Sequence, residues 1–272
     1  MSRKILILGG NGFVGRYLAD YLKQQYVITT ASASGKNVDL VFDLAGSINS
    51  DSVAGFDCII NCVVSYSSEM EKSFDVNVKG TLKILEKIKD KPCHFINISS
   101  VSAMDENFKE NSYSLTKHLS DEIIKYYQGK TTAKLVTLRF AQIYDVAGNA
   151  RKTQPGLFFF AEKIKRNEPL TIFGDKNLKR SYIPVEVLCQ CVGMTIEKDL
   201  VGEHDVIMND FYSPFGLANV FSAMSDYDHS KISFDESKVA KAYAIPACSI
   251  EFIDVLEDAN NMTYFKELFY NV

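Results

Sequence analysis

The chain opens on an apolar run, Lys4 to Leu8, that stops at two glycines. Such a run predicts a strand buried on both faces. From Phe13 to Gln25 the period changes. Val14, Leu18, Tyr21 and Leu22 recur at helical spacing, so a helix follows. Tyr26 to Thr30 is rich in β-branched residues and predicts a second strand. Val38 to Phe42 and Cys58 to Val64 predict two more. Glu69 to Asp90 carries Phe74, Val78, Leu82, Leu85 and Ile88 along one side and predicts a single long amphipathic helix. Cys93 to Ile98 then reads as a strand, Ser112 to Gln128 as a helix and Lys134 to Phe140 as a strand. Alternation at this spacing predicts an α/β fold, a Rossmann-type doubly wound parallel sheet.

The pattern changes after Tyr144. Segments shorten, and Pro155-Gly156, Pro169, Gly174-Asp175, Pro184, Gly202, Pro214 and Pro246 punctuate them. The expectation is a dinucleotide-binding domain over 1–150 and a small C-terminal α+β substrate lobe over 151–272, interleaved with the last Rossmann elements. The phenylalanines at 158–160 read as core. Tyr264 to Phe269 reads as a docked tail helix, with docking on a partner subunit as the other reading.

Composition narrows the classes. With 272 residues, 46% hydrophobic and 24% charged, the chain has the make-up of a soluble globular protein. A net charge of -4 argues against nucleic acid as the main partner, because that binding needs a basic face. Apolar stretches such as Leu157 to Ala161 fall far short of the ~20 residues of a membrane span. Arg3 and Lys4 precede an apolar run too short for a signal peptide. The expected location is therefore the cytoplasm. Cysteines 58, 62, 93, 189, 191 and 248 form no C-x-x-C pair and no zinc spacing, so they read as reduced thiols and no metal site is expected.

Candidate chemistry begins where the first strand ends. Gly9-Gly10-Asn11-Gly12-Phe13-Val14-Gly15 places glycines at a G-x-x-G-x-x-G spacing between a strand and a helix. Glycine allows the tight turn and a close approach of backbone to pyrophosphate, and the helix start offers N–H groups and a positive dipole end. The expected cofactor-contacting residues there are Gly9, Asn11, Gly12, Phe13, Val14 and Gly15. An acid at the end of the second strand would favour NAD(H). Instead the segment Ile28 to Lys36 supplies Thr30, Ser32, Ser34 and Lys36. NADP(H) is therefore favoured over NAD(H), with Thr30 and Ser32 as candidate contacts and Arg16 within reach. Asp43 either meets the adenine or caps the following turn.

Tyr113 and Lys117 stand four apart in a predicted helix, which puts both on one face. Ser99 and Ser100 end the preceding strand, at the edge where parallel sheets bind ligands. A serine, a phenol and an ammonium there form a proton-transfer set. A cation about 4 Å from a phenol lowers its pKa from about 10 by roughly three units. Tyr113 is thus expected to be tuned toward neutrality by Lys117 together with an oxidised nicotinamide.

With these pieces the sequence resembles the extended short-chain dehydrogenase/reductase superfamily, most closely its nucleotide-sugar epimerase, dehydratase and 4-ketoreductase branch. The resemblance covers about residues 3 to 190. It is carried by the glycine turn, Ile60-Asn61-Cys62-Val63, Asn77-Val78-Lys79-Gly80-Thr81, Ile98-Ser99-Ser100, Tyr113-Ser114-Leu115-Thr116-Lys117, Leu138-Arg139-Phe140-Ala141-Gln142-Ile143-Tyr144, and Phe173-Gly174-Asp175 with Arg180-Ser181-Tyr182-Ile183. It implies that Tyr113 is the acid or base at the sugar carbinol and that Lys117 holds the nicotinamide ribose. Ser100 would bond the reacting oxygen, with Ser102 as its rival. Asn61, Val63 and Val64 would line the cofactor. Gln142 and Arg180 would meet the nucleotide-sugar diphosphate, a role that suits a planar guanidinium.

The chain departs from that branch in three places. The stretch from Ser100 to Tyr113 is short and reads Ala103-Met104-Asp105 where Val-Tyr-Gly is usual. The acid expected after Ile183-Pro184-Val185 is Glu186. The substrate lobe is reduced. The resulting expectation is an NAD(P)-dependent oxidoreductase that reduces a nucleotide-linked 4-keto-deoxysugar, with Tyr113 as proton donor. The alternatives are an epimerase with a tightly held cofactor and a non-catalytic dinucleotide sensor. A dehydratase fits less well, since Val101-Ser102 stand where an Asp-Glu pair is usual. The outer faces of the helices at 69–90 and 112–128 read either as a homodimer surface, which the resemblance implies is common, or as solvated.

Overall fold

Apolar runs and amphipathic stretches resolve into two units in a computed structural model that describes residues 2–46, 53, 55–104, 111–237 and 244–272. Asp105, one of the departures noted above, lies outside the described residues. The first unit comprises residues 1–140 and 189–205, the second residues 141–188 and 206–272.

In chain order the first unit begins with β1 (Lys4–Leu8), α1 (Phe13–Leu22), β2 (Val27–Ser32), β3 (Leu40–Val41) and β4 (Cys58–Asn61). It continues with α2 (Met70–Phe74), α3 (Gly80–Ile88), β5 (His94–Ser100), α4 (Ser112–Tyr127) and β6 (Lys134–Phe140). There follow β7 (Gln142–Tyr144), α5 (Pro155–Lys165), β8 (Leu170–Phe173), β9 (Arg180–Pro184), α6 (Val185–Glu197), β10 (Gly202–Val206), β11 (Phe211–Tyr212), α7 (Pro214–Ser222), β12 (Ile232–Asp235), α8 (Ile253–Glu257) and α9 (Asn261–Asn271).

Seven strands form the central sheet in the order β10-β6-β5-β4-β1-β2-β3. The pairs β1–β2, β2–β3, β1–β4, β4–β5 and β5–β6 are parallel. The chain therefore reverses its direction of travel across the sheet at β1, and such a switch point leaves a crevice at the strands' carboxyl ends. Strands β1, β4 and β5 are buried nearly throughout, which is why they read as apolar runs rather than as alternating patterns. Leu6, Leu8, Ile59, Phe95 and Leu135 of the sheet pack with Ile84, Leu85 and Ile88 of α3 and Ile124 of α4. Each such side chain contributes roughly 1.5–3 kcal/mol. Exposed pairs such as Lys23–Asp20 contribute about 0–1 kcal/mol each, so this layer dominates the unit's stability.

The helix expected over 69–90 is broken. A π-helical turn, Asp75–Lys79, separates α2 from α3. Its cause is local. The amide of Asn77 turns inward, where it accepts from Ser65 N (2.8 Å) and donates to Ser65 O (3.1 Å) and Thr116 Oγ1 (2.9 Å). The wider turn gives the side chain that reach, and π turns favour functional sites. Leu82, expected on the buried side, is 38% exposed.

The second unit holds a three-stranded sheet, β11-β9-β7, and a two-stranded parallel sheet, β12-β8. Its helix α9 buries Phe265, Leu268 and Phe269, which settles Tyr264 to Phe269 as a docked tail helix. Of the phenylalanines at 158–160, Phe158 is core and Phe159 is 42% exposed. No helix among the described residues is long and apolar enough to cross a membrane.

Candidate active site

The glycine turn sits at the switch point. Gly9 takes φ +82°, a left-handed conformation that favours glycine, and its N–H and that of Gly10 both donate to Ala31 O (2.8 and 3.0 Å). A Cβ on Gly9 would stand 3.1–3.2 Å from the backbone of Cys62 and Val63. A Cβ on Gly15 would run into the Gly9 carbonyl. No side chain caps the Gly12 end of α1, and no acid stands in its first turn. The residues thus form a cradle that side chains would fill, with a helix start open toward it, and this fits a pyrophosphate.

Around the carboxyl end of β2, Asn11 Nδ2 donates to Ser34 Oγ (2.8 Å), and Ser34 Oγ lies 3.3 Å from Ser32 Oγ. Thr30 is spent within the chain. Its N and Oγ1 donate to Asp39 Oδ2 (2.7 and 2.8 Å), and this pair of bonds holds the Asp39 carboxyl below the usual carboxylate range. Sequence reasoning missed Asp39, which reaches β2 from the following loop. Asp43 Oδ1 accepts from Ala45 N (3.0 Å), the turn-capping role.

The carboxyl end of β5 and the start of α4 meet over the same edge. Ser100 Oγ accepts from Ser102 N (3.2 Å) and Ser102 Oγ (3.0 Å). The Tyr113 hydroxyl is bonded to Ser100 and to the Tyr66 hydroxyl. Its ring stacks on that of Tyr66, with centroids 4.8 Å apart and planes 21° apart. Ser102 therefore supports Ser100, and it is Ser100 that meets the phenol. The loop bearing Tyr66 is pinned by Asn77 at Ser65 and by Ser112 Oγ, which donates to Ser67 O (2.9 Å).

Lys117 shares the Tyr113 face of α4 but holds a different contact. Its Nζ donates to Ile98 O (2.7 Å), and only 5% of the residue is exposed. Burial pushes its ammonium down, while Asp121 and Cys62 pull it back up. Burial also pushes the Tyr113 phenol up, and the neighbouring Tyr66 adds to this. The expected lowering of the Tyr113 pKa is therefore absent in the protein alone. Desolvation of a phenolate outweighs an ammonium turned onto a backbone carbonyl.

Beneath this edge runs a buried polar chain. Val63 N donates to Asn61 Oδ1 (3.3 Å) and Asn61 Nδ2 to Asn97 Oδ1 (3.1 Å). Asn97 Nδ2 donates to Asp121 Oδ1 (3.2 Å) and Ser99 Oγ to Asp121 Oδ2 (2.7 Å). Sequence reasoning missed Tyr66, Asn97 and Asp121. Only Asp121 carried a usable signal, standing four residues beyond Lys117 and so on the same helical face.

Gln142 and Arg180 lie in the second unit, on neighbouring parallel strands. Gln142 pairs in register with Tyr182, two residues beyond Arg180. Glu186, in the first turn of α6, is lifted by burial, and Asp145 and Glu267 add to that rise.

Residues 5–209 match the model of the NAD dependent epimerase/dehydratase family. A Methanocaldococcus jannaschii protein provisionally named UDP-glucose 4-epimerase is 25% identical over 214 residues, 66% of this chain and 69% of that protein. A Thermotoga maritima UDP-glucose 4-epimerase solved with UDP-glucose superposes with TM-score 0.77 at 18% identity, over 98% of both chains. A variant of the Bacillus cereus UDP-glucuronic acid 4-epimerase, solved with a fluorinated UDP-sugar and NAD, superposes with TM-score 0.81 at 16% identity, again over 98% of both. At these identities the superpositions speak to the fold.

Proposed function

Because the chain belongs to the NAD dependent epimerase/dehydratase family, we propose that it carries out nicotinamide-dependent redox chemistry at a carbinol of a nucleotide-linked sugar, in the direction that reduces a 4-keto-deoxysugar. The observation that carries this reading is the bond between the Tyr113 and Ser100 hydroxyls at the end of β5, on the same sheet as the glycine cradle of β1 with β4 between them. The backbone of Gly9, Gly12 and Gly15 would hold a dinucleotide in that cradle, and the chemistry it would supply is hydride transfer. Tyr113 passes its phenolic proton to the sugar oxygen in reduction and takes it back in oxidation. Ser100 holds that oxygen in line with the phenol, and the Ser102 hydroxyl aligns Ser100. Lys117 brings a positive charge to the same helical face, which favours the phenolate when the proton has left. Dehydration would call for an acid and base beside Ser100. The 3-10 turn Val101–Ala103 offers a hydroxyl instead.

The second reading, a 4-epimerase, is favoured by the likeness to the M. jannaschii protein. One experiment separates the two. The enzyme is mixed with a panel of nucleotide sugars, 4-keto forms with NADPH and 4-hydroxy forms with oxidised nicotinamide, and sugar conversion and the reduced-nicotinamide absorbance are followed together. Consumption of NADPH in step with sugar marks the reductase. Sugar conversion at constant absorbance marks the epimerase, and no conversion of any nucleotide sugar counts against both.

Three features support NADP(H) over NAD(H) in this reading. The Ser32 and Ser34 hydroxyls lie around the carboxyl end of β2, Lys36 is exposed on the same turn, and the Asp39 carboxylate is turned onto Thr30. The wild-type chain is expected to bind NADPH more tightly than NADH. Lys36→Glu should weaken NADPH about tenfold or more, since a charged hydrogen bond contributes roughly 1.5–3 kcal/mol. NADH affinity should stay within about twofold. Fluorescence titration of both nucleotides checks this, and equal wild-type affinities would refute it.

A further inference from the structure

We propose that Tyr66 is a proton relay: its solvent-facing hydroxyl refills the Tyr113 phenol from water after each reductive turnover. The inference rests on the reductive reading of Tyr113 and Ser100, because only net reduction draws a proton from solvent. An epimerisation gives back to the sugar the proton it took.

The pair is held in place by the fold. The Tyr66 and Tyr113 rings stack with centroids 4.8 Å apart, and their hydroxyls are bonded to each other. The loop is fixed on both sides of Tyr66. Ser65 N donates to Asn77 Oδ1 (2.8 Å), and Ser65 O accepts from Asn77 Nδ2 (3.1 Å). Ser67 O accepts from Ser73 Oγ (2.8 Å) and from Ser112 Oγ (2.9 Å). Side chains of α2, the π turn and α4 thus converge on the two residues that flank Tyr66.

The hydroxyls form a directed chain. Each has one hydrogen to give and can accept two. Ser100 Oγ accepts from Ser102 N (3.2 Å) and Ser102 Oγ (3.0 Å), so its own hydrogen is left for the Tyr113 oxygen. The Tyr113 hydrogen then falls to the Tyr66 oxygen, and the Tyr66 hydrogen to water. Burial and the neighbouring Tyr66 raise the Tyr113 phenol, the Ser100 bond pulls it down and the Tyr66 bond adds to the rise, as an accepted and a donated bond should. The chain starts at Ser102, 9% exposed, and ends at Tyr66, 60% exposed.

Reduction spends the Tyr113 proton. Hydride from a reduced nicotinamide reaches the carbonyl carbon, the Tyr113 O–H bond breaks and an O–H bond forms on the sugar. The phenolate left behind has two hydroxyl neighbours. Ser100 leads inward to the buried Ser102, and Tyr66 leads out. Lys117 Nζ is turned onto Ile98 O (2.7 Å). The Tyr66 O–H bond therefore breaks as that of Tyr113 re-forms, and water returns a proton to Tyr66. Both groups are phenols with an unperturbed pKa of about 10, so the proton passes between near-equals.

The test uses the full chain, NADPH and the panel of 4-keto nucleotide sugars, with Tyr66→Phe and Tyr113→Phe. Tyr66→Phe keeps the stacked ring and removes only the relay oxygen, so KM and dinucleotide affinity should stay within about twofold. Rapid mixing should show the first NADPH at each site oxidised at the wild-type rate, because Tyr113 starts protonated. Later turnovers should be slowed about tenfold or more. Imidazole, a small diffusible proton donor, should relieve the slow phase in proportion to its concentration and leave the wild type unchanged. A tyrosine that only packed against Tyr113 would alter the first turnover as much as the later ones, and imidazole would not help. Wild-type turnover in Tyr66→Phe, or a loss that imidazole does not relieve, overturns the proposal. Full turnover in Tyr113→Phe, or sugar conversion with no NADPH consumed, counts against the reductive reading instead, and the relay falls with it.

Discussion

Tyr113→Phe is expected to lower turnover of a nucleotide sugar by about a thousandfold while dinucleotide affinity stays within about twofold. Proton transfer by a placed side chain contributes typically 10²–10⁴-fold, and a thousandfold corresponds to about 4 kcal/mol at 1.36 kcal/mol per decade. The substitution removes one oxygen. The ring keeps its stack on Tyr66, and the glycine cradle lies on a different element, so neither fold nor cofactor binding should suffer much. Ser100 loses its phenolic partner but retains the bonds from Ser102 N and Oγ, and the Tyr66 hydroxyl, which loses the same partner, belongs to a residue 60% exposed, so water can replace it. Steady-state turnover and fluorescence titration of the dinucleotide together check the result. Unchanged turnover would remove the proton-transfer role. Joint loss of turnover and cofactor binding would show that Tyr113 acts through the structure of the site. Ser100→Ala should follow in the same direction with a smaller effect, since its hydroxyl aligns the reacting oxygen and does not carry the proton.

The site was legible in the sequence to the extent that local spacing dictates it. Tyr113 and Lys117 share a face because they stand four apart in a helix, and Ser100 ends β5 because an apolar run must end where the sheet does. What spacing does not dictate is the environment each group meets. The expected lowering of the Tyr113 pKa assumed an ammonium beside the phenol. In the fold that ammonium is bonded to the Ile98 carbonyl, and burial raises the phenol. Asp39 and Asn97 act through tertiary approaches of a loop and a strand, which no local pattern encodes. The π turn at 75–79 was hidden for a related reason. Its residues keep a helical hydrophobic period, and only the bonds from Asn77 to Ser65 and Thr116 reveal the extra residue in the turn. Boundaries followed the same logic. The parallel strands were plain because they are buried on both faces. The end of the first unit at Phe140, and its return over residues 189–205, depends on where β10 joins the sheet.

The largest expected effect on binding comes from Gly15→Ala. A methyl group there would collide with the Gly9 carbonyl and stand 2.8 Å from its carbon and 3.0 Å from Gly10 Cα. All three atoms are backbone, so no side chain can swing aside. The Gly9 carbonyl is also fixed, because it accepts from Gly12 N (2.8 Å) and its own residue donates to Ala31 O. Relief requires α1 to move away from β1, at a cost of about 1–3 kcal/mol or more by the usual scale of overpacking. That movement opens the turn whose N–H groups would hold a pyrophosphate, so dinucleotide affinity should fall at least about tenfold along with the thermal midpoint. Two other glycines calibrate the effect. A Cβ on Gly12 would stand 3.1 Å from Gly9 O, a lesser crowding that should give a smaller loss of affinity. Gly156, near the start of α5, has nothing within 4 Å of such an atom, so Gly156→Ala should leave binding alone and raise stability slightly, by roughly 0.5–1 kcal/mol. Thermal unfolding of the three variants, with and without NADPH, separates the two effects. If Gly15→Ala binds the dinucleotide as the wild type does, the glycine turn is only a tight connection, and the cofactor site must lie elsewhere on the sheet.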